Sequence, residues 1–306
     1  MINIEERLAK ELGLKLGVVN NVVEMLDEGN TVPFIARYRK EKTGGLSDEV
    51  LRKFSERLTY LRSLDERKAD VSRLIEEQGK LTQEITEALG KAETLTEVED
   101  IYRPYKPKKR TRATIAKAKG LEPLANLILE GAFKGDVLQE ASKYIDEEKG
   151  VEKAEDAVSG ALDIIAEGIS EEAKYRKFIR ELVMREGLIE SKGSSEETTP
   201  YEMYYDYSEE VRKIPPHRIL AINRGEKEKI LSVKITIGED KIISYLEREI
   251  LKGNEVLDEQ LKLAIRDAYK RLIFPSIERE IRNELTDKGE EGAILIFKEN
   301  LKALLM

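Results

Sequence analysis

Residues 47–79, SDEVLRKFSERLTYLRSLDERKADVSRLIEEQG, read as one long amphipathic helix. Ser47 is a good N-cap. Val50, Leu51, Phe54, Leu58, Leu61 and Leu64 return to one face at helical spacing, and Gly79 supplies a stop. The intervening positions are Arg, Lys, Glu and Asp in alternation, the pattern of a solvated helix face laced with opposite charges. A chain that invests this much sequence in one helix is mainly α.

Working outward, the same grammar recurs. Asn3 and Glu6 resemble a capping box ahead of Ile4, Leu8 and Leu12, which argues for a helix start and against a signal peptide. Val19, Val22, Val23 and Leu26 predict a helix over about 16–28. Pro33 and the pair Gly44-Gly45 make 30–45 a connection or broken turn. Short helices are expected at 82–89 and 96–102, the second capped by Thr96 with Glu99. Further helices follow at about 121–130, 136–146, 151–167 and 170–186, and 193–200 reads as an exposed loop. Leu231, Val233, Ile235 and Ile237 alternate with polar residues, predicting one strand or a small hairpin. A helix over 255–285 must kink or split at Pro275. The expected organisation is a helical unit over 1–80, a second over 81–200, and a small β element with long helices over 201–306.

Composition excludes several functions. The 306 residues contain no Cys and one His, His217, so thiolate metal sites and disulfides are absent and an imidazole-based zinc site is disfavoured. With no G-x-S-x-G elbow and no phosphate-cradling glycine loop, nothing supports acyl or nucleotide hydrolysis, and no catalytic residue, metal or cofactor is expected. His217 after Pro215-Pro216 is expected to be buried or to cap a helix. No apolar run is long enough for a membrane span, so a cytoplasmic address is expected. The tyrosines at 201, 204, 205 and 207 suit packing better than a stacking surface. The apolar ending Ala303-Leu304-Leu305-Met306 suggests a chain cut from something longer.

Net charge is −8, but it is unevenly spread. Residues 101–120 hold eight Lys or Arg and no acid, whereas 136–172 hold twelve acids against three bases. Arg103, Lys106, Lys108, Lys109, Arg110 and Arg112 are interleaved with Tyr102 and Tyr105, and Pro104 and Pro107 predict an extended surface loop. Clustered cations neutralise successive phosphates, and tyrosines can stack on unpaired bases. The alternative is that these cations pack on the chain's own acidic 136–172 helices. A second cluster, Arg37, Arg39, Lys40 and Lys42 beside Tyr38, admits a helix-turn-helix reading. Its connection is long for that motif, which favours arginines that cap neighbouring carbonyls.

Four stretches carry a family resemblance: TVPFIARYRKEKTGGL (31–46), VEDIYRPYKPKKRTRATIAKAKGLEPLA (98–125), IPPHRILAINRGE (214–226) and PSIEREIRNELTDKGEEGAI (275–294). In order and content they are similar to the Tex family of bacterial transcription accessory proteins. They are more distantly similar to the core of a eukaryotic elongation factor and histone chaperone. One departure is Pro216, where the family pattern has a serine before the histidine. The resemblance implies a role in transcription with RNA or DNA as partner, contacted through the phosphate backbone with weak sequence preference. It also implies an RNase-H-like domain, a helix-hairpin-helix region and an OB-fold beyond the present sequence. Two functions follow: a non-catalytic nucleic-acid-binding region, or a helical scaffold that docks proteins of the transcription machinery.

Overall fold

The computed structural model describes residues 3–131, 135–194 and 198–305. The fold is mainly α, and it divides into two compact units, Met1–Tyr105 and Lys106–Met306. The division falls inside the cationic stretch. Helices on both sides of residue 80 share one apolar cluster, and a strand before residue 200 pairs with strands after it.

The N-terminal unit is built on the long helix expected from 47–79. α1 (Ile4–Leu12), α2 (Leu16–Asp27), α3 (Val32–Tyr38) and α4 (Lys40–Thr43) precede α5 (Asp48–Glu76). The Ser47 hydroxyl accepts the Val50 N–H at 3.3 Å, satisfying one of the free donors at the α5 start. Twenty-nine residues make α5 about 43 Å long, enough to serve two cores. Its first half packs Leu51, Phe54, Leu58 and Leu61 against Leu8, Val19, Val22 and Ile35. Its second half packs Leu64, Val71 and Ile75 against α6 (Gln83–Lys91) and α7 (Leu95–Tyr102). Each fully buried Leu or Ile contributes about 1.5–3 kcal/mol.

Local expectations needed three corrections here. Asn3 occupies the cap position of α1 but its side chain makes no capping bond. The connection at 30–45 is two short helices, because Pro33 stands in the first turn of α3, where its missing N–H costs nothing. α7 begins one residue before Thr96: Thr94 accepts the Glu97 N–H, and the Glu97 carboxylate reaches back to the Glu93 N–H at 2.7 Å.

In the C-terminal unit α8 (Arg112–Ala118), α9 (Glu122–Glu130) and α10 (Val137–Ala141) surround α11 (Ala154–Glu171). α11 presents Ala157, Ala161 and Ala166, and Gly160 lets Leu121 come so close that an added Cβ would lie 2.4 Å from its Cδ1. α12 (Ala173–Glu186) leads into β1 (Leu188–Gly193), followed by β2 (Asp206–Glu210), α13 (Pro216–Lys227) and β3 (Leu231–Thr236). The expected single strand or hairpin is a three-stranded antiparallel sheet in the order β2-β1-β3, with Ile189 opposite Ile235 in the core. Of the loop expected at 193–200, residues 195–197 lie outside the described residues, and Gly193 belongs to β1.

α14 (Glu239–Ile250) and α15 (Glu255–Asp267) come next, and the span expected to kink or split at Pro275 is divided just ahead of it. Residues Ala268–Ile273 take a π-helical turn, and α16 (Phe274–Leu305) starts one residue before the proline. A proline ring clashes with the carbonyl four residues back, and a wider turn makes room for it. α12 is tied to α16 by Arg176, 1% exposed, whose guanidinium donates to Glu280 at 2.6 Å and to Ser276 at 3.2 Å. Among the described residues no helix is long and apolar enough to cross a membrane.

Candidate nucleic-acid interface

The two cationic clusters meet different surroundings. In the N-terminal unit, α3 turns into α4 at Arg39, whose backbone leaves helical geometry, and Gly44 and Gly45 close the pair with φ of 66° and 81°. Ile35 and Thr43 anchor the two helices in the core. What remains outward is Phe34, Arg37, Tyr38, Arg39, Lys40 and Lys42, all exposed, with Glu41 the one acid among them.

Phe34 and Tyr38 stand one turn apart with ring centroids 5.2 Å from each other, and the Arg39 guanidinium lies 5.5 Å from the Phe34 ring. Tyr38 is 59% exposed. Among the described residues neither Arg37, Arg39, Lys40 nor Lys42 makes an ion pair, and none of these side chains caps a helix carbonyl, the role the sequence favours. The tight turn of a helix-turn-helix is not found between α2 and α5, whose connection is occupied by these two helices.

For an arginine that freedom is unusual within the unit. Arg7 and Arg57 converge on Glu11, Arg62 binds Asp27 through two nitrogens, and Arg67 binds Glu99. Arg52 and Arg73 pair along α5 with Asp48 and Glu77, and Arg103 lies 3.8 Å from buried Asp100. The hydrogen bond from Arg57 leads the interactions that hold the Glu11 carboxyl at about 2. Every arginine of the unit outside α3 and α4 thus faces a carboxylate.

The stretch at 103–112 is less extended than expected. Arg103–Tyr105 form a 3-10 turn, only 106–110 are irregular, and Thr111 with Thr114 builds a capping box that starts α8 at Arg112. Tyr105 is half-buried, and its carbonyl accepts from Gln78 at 2.9 Å. Lys106 is also half-buried. Lys108 reaches the end of α11, where Glu167 and Glu171 accept from its ammonium at 3.0 and 2.8 Å. Burial alone would lower its pKa, yet the two carboxylates outweigh that and the net shift is upward. The packing of these cations on the chain's own acidic helices is therefore realised at Lys108. Lys109, Arg110 and Arg112 remain exposed.

Sequence inspection had not singled out Phe34, although its spacing of four from Tyr38 was visible, nor the Glu167 and Glu171 pair, also four apart. His217 is neither buried nor a cap: it is exposed in the first turn of α13. Tyr201 and Tyr204 are buried, and Tyr205 covers Gly193, so that group packs against the sheet. Among the described residues no group of three His, Asp or Glu side chains is placed to hold a metal.

Comparison with known proteins accounts for most of the chain. The Tex-like protein N-terminal domain matches residues 2–76, and the Tex central region-like family matches residues 134–297. Protein YdcI of Bacillus subtilis is 48% identical over 308 residues, covering 99% of this chain and 43% of that protein. The transcriptional accessory protein Tex of Neisseria gonorrhoeae is 39% identical over 314 residues, covering all of this chain and 41% of its own. The human S1 RNA-binding domain-containing protein 1 is 30% identical over 316 residues, covering 98% of this chain and 32% of its own. The chain thus spans less than half the length of these relatives. On the match to the central region, which takes in more than half of its residues, the chain belongs to the Tex family.

Proposed function

We propose that this chain is a non-catalytic, cytoplasmic, nucleic-acid-binding region of a transcription accessory factor, and that α3 and α4 form its single-strand contact. The observation that carries this is the set of exposed, unpaired cations around the Phe34–Tyr38 ring pair, in a unit whose other arginines are all engaged. Unpaired cations can exchange counterions for phosphates without first breaking an ion pair. An exposed tyrosine gives an unpaired base a face on which to stack, and stacking of this kind contributes about 1–3 kcal/mol per base. The names of relatives support the role: one is called a transcriptional accessory protein and another an S1 RNA-binding domain protein. Lys109 and Arg110 offer a secondary phosphate contact, while Lys108 is held by α11.

A second function, a scaffold that docks proteins of the transcription machinery, is favoured by the Lys108 clamp, which turns part of the basic stretch to structural use. Fluorescence anisotropy with a labelled single-stranded oligonucleotide and its duplex separates the two. The expected result is tighter binding of the single strand, lost in the Arg37→Ala/Arg39→Ala/Lys40→Ala variant and largely retained in Lys109→Ala/Arg110→Ala. Binding that ignores the first variant would remove α3 and α4 from the interface, and no binding at low salt would leave the scaffold.

A further inference from the structure

The C-terminal unit holds a cleft of about 580 Å3 that the nucleic-acid surface does not involve. Two helix faces form it. α11 contributes Glu155, Val158, Ser159, Leu162 and Asp163, spaced so that they lie along one stripe. α15 contributes Val256, Gln260, Leu263, Ala264 and Asp267 in the same manner, and the start of α10 closes one side with Val137 and Leu138.

The floor is apolar and buried at Val137, Val158 and Ala264, yet the walls are open: Leu138 is 43% exposed, Val256 50% and Leu263 56%. Large aliphatic side chains left in water at the mouth of an apolar cleft mark an interaction surface. The stripes run roughly 12 Å along α11 and 16 Å along α15, the length of two to three turns of a third helix laid between them.

Charge selects the occupant. Asp136, Glu155, Asp163 and Asp267 stand around the cleft against Arg112. Arg271 bonds Asp163 and Asp267, which leaves the acids in excess among the described residues, where Glu155 is exposed and makes no ion pair. A rim of this sign repels phosphate and attracts cations. We infer that the groove between α11 and α15 docks an amphipathic helix of a protein partner, one that buries a leucine-type ridge on Val158, Leu162 and Leu263 and sets Lys or Arg against Glu155 and Asp136. Helix-in-groove recognition uses apolar anchors at i, i+3 or i+4 and i+7, the spacing that two parallel stripes admit.

The test uses the full chain and a fluorescein-labelled helical peptide of about 16 residues, leucines on one face and lysines on the flanks. A twin carries glutamate at every lysine. The lysine peptide is expected to bind, and its twin to bind at least about tenfold more weakly. Leu263→Asp, at an exposed site that tolerates a polar side chain, is expected to cost about tenfold or more, the scale of one leucine contact left unmade. Glu155→Lys is expected to cost about threefold, and both variants should keep the wild-type circular dichroism. Equal binding of the two peptides, or an unaffected Leu263→Asp, would overturn the assignment. So would sedimentation showing that the chain dimerises and that Leu263→Asp makes it monomeric, since a second copy would then fill the groove.

Discussion

Residues 37–42 and 106–112 look alike as sequence, each a short run of Arg and Lys next to tyrosine. In the fold they part. At 106–112 a carboxylate pair on α11 takes Lys108, and Lys106 is half-buried. At 37–42, on two short helices, the cations are exposed and pair with no carboxylate among the described residues. Local charge density is thus a poor guide to available charge. What decides is whether the packing of nearby helices brings carboxylates within hydrogen-bond range, and that is a property of the tertiary structure.

The contrast can be broken most forcefully at its engaged extreme. Glu280→Ala removes the carboxylate that accepts from buried Arg176 and from Arg180, and we expect a loss of about 2–3 kcal/mol in denaturant unfolding. Arg37→Ala removes an exposed cation that makes no ion pair among the described residues and should change stability by less than about 0.5 kcal/mol. If both variants melted alike, the distinction between engaged and available cations would have no energetic content.

Function should invert that order. Tyr38→Ala is expected to weaken single-strand binding by about 1–3 kcal/mol while leaving the melting curve in place. Lys108→Met should do the opposite. It leaves Glu167 and Glu171 facing each other, costs about 1–2 kcal/mol of stability, and barely alters affinity for the oligonucleotide. A large binding defect in Lys108→Met would return the interface to the 106–112 stretch.

The smallest expected effect is on acid stability. The folded-state pKa of Glu11 is depressed to about 2 from 4.5, chiefly by its hydrogen bond with Arg57. Its stabilising contribution is therefore complete above about 4.5 and fades as pH falls through that range toward 2. Unfolding between pH 5 and 2 should show a shallower loss in Glu11→Gln than in the wild type. Arg37→Ala should follow the wild-type profile.

Much of the architecture was legible because it rests on periodicity. α5 and α12 could be found from apolar spacing and glycine stops, and α11 from its spacing, although it runs through Gly168 to Glu171. β1 and β2 were not: LIESKG and DYSEE lack a clean alternation, and they become strands only because β3 and the surrounding helices cover one face. Pro33 and Pro275 differ in how far they interrupt a helix. Pro33 stands in the first turn of α3 and breaks nothing, whereas the span 255–285 is split as expected, by a π turn just ahead of Pro275. The cationic candidates were visible by composition alone, but sequence does not specify which of them a carboxylate some sixty residues away will claim, as Glu167 and Glu171 claim Lys108.

The most direct test of the central claim is the salt dependence of single-stranded oligonucleotide binding. Plotting log affinity against log salt counts the phosphates neutralised, at about 0.7 per contact on a single strand. The Arg37→Ala/Arg39→Ala/Lys40→Ala variant should lower that slope by about two, the value for three lost contacts, whereas Lys108→Met should leave it unchanged. A slope unaltered by the triple substitution, or one that falls with Lys108→Met, would contradict the assignment of the free charge to α3 and α4.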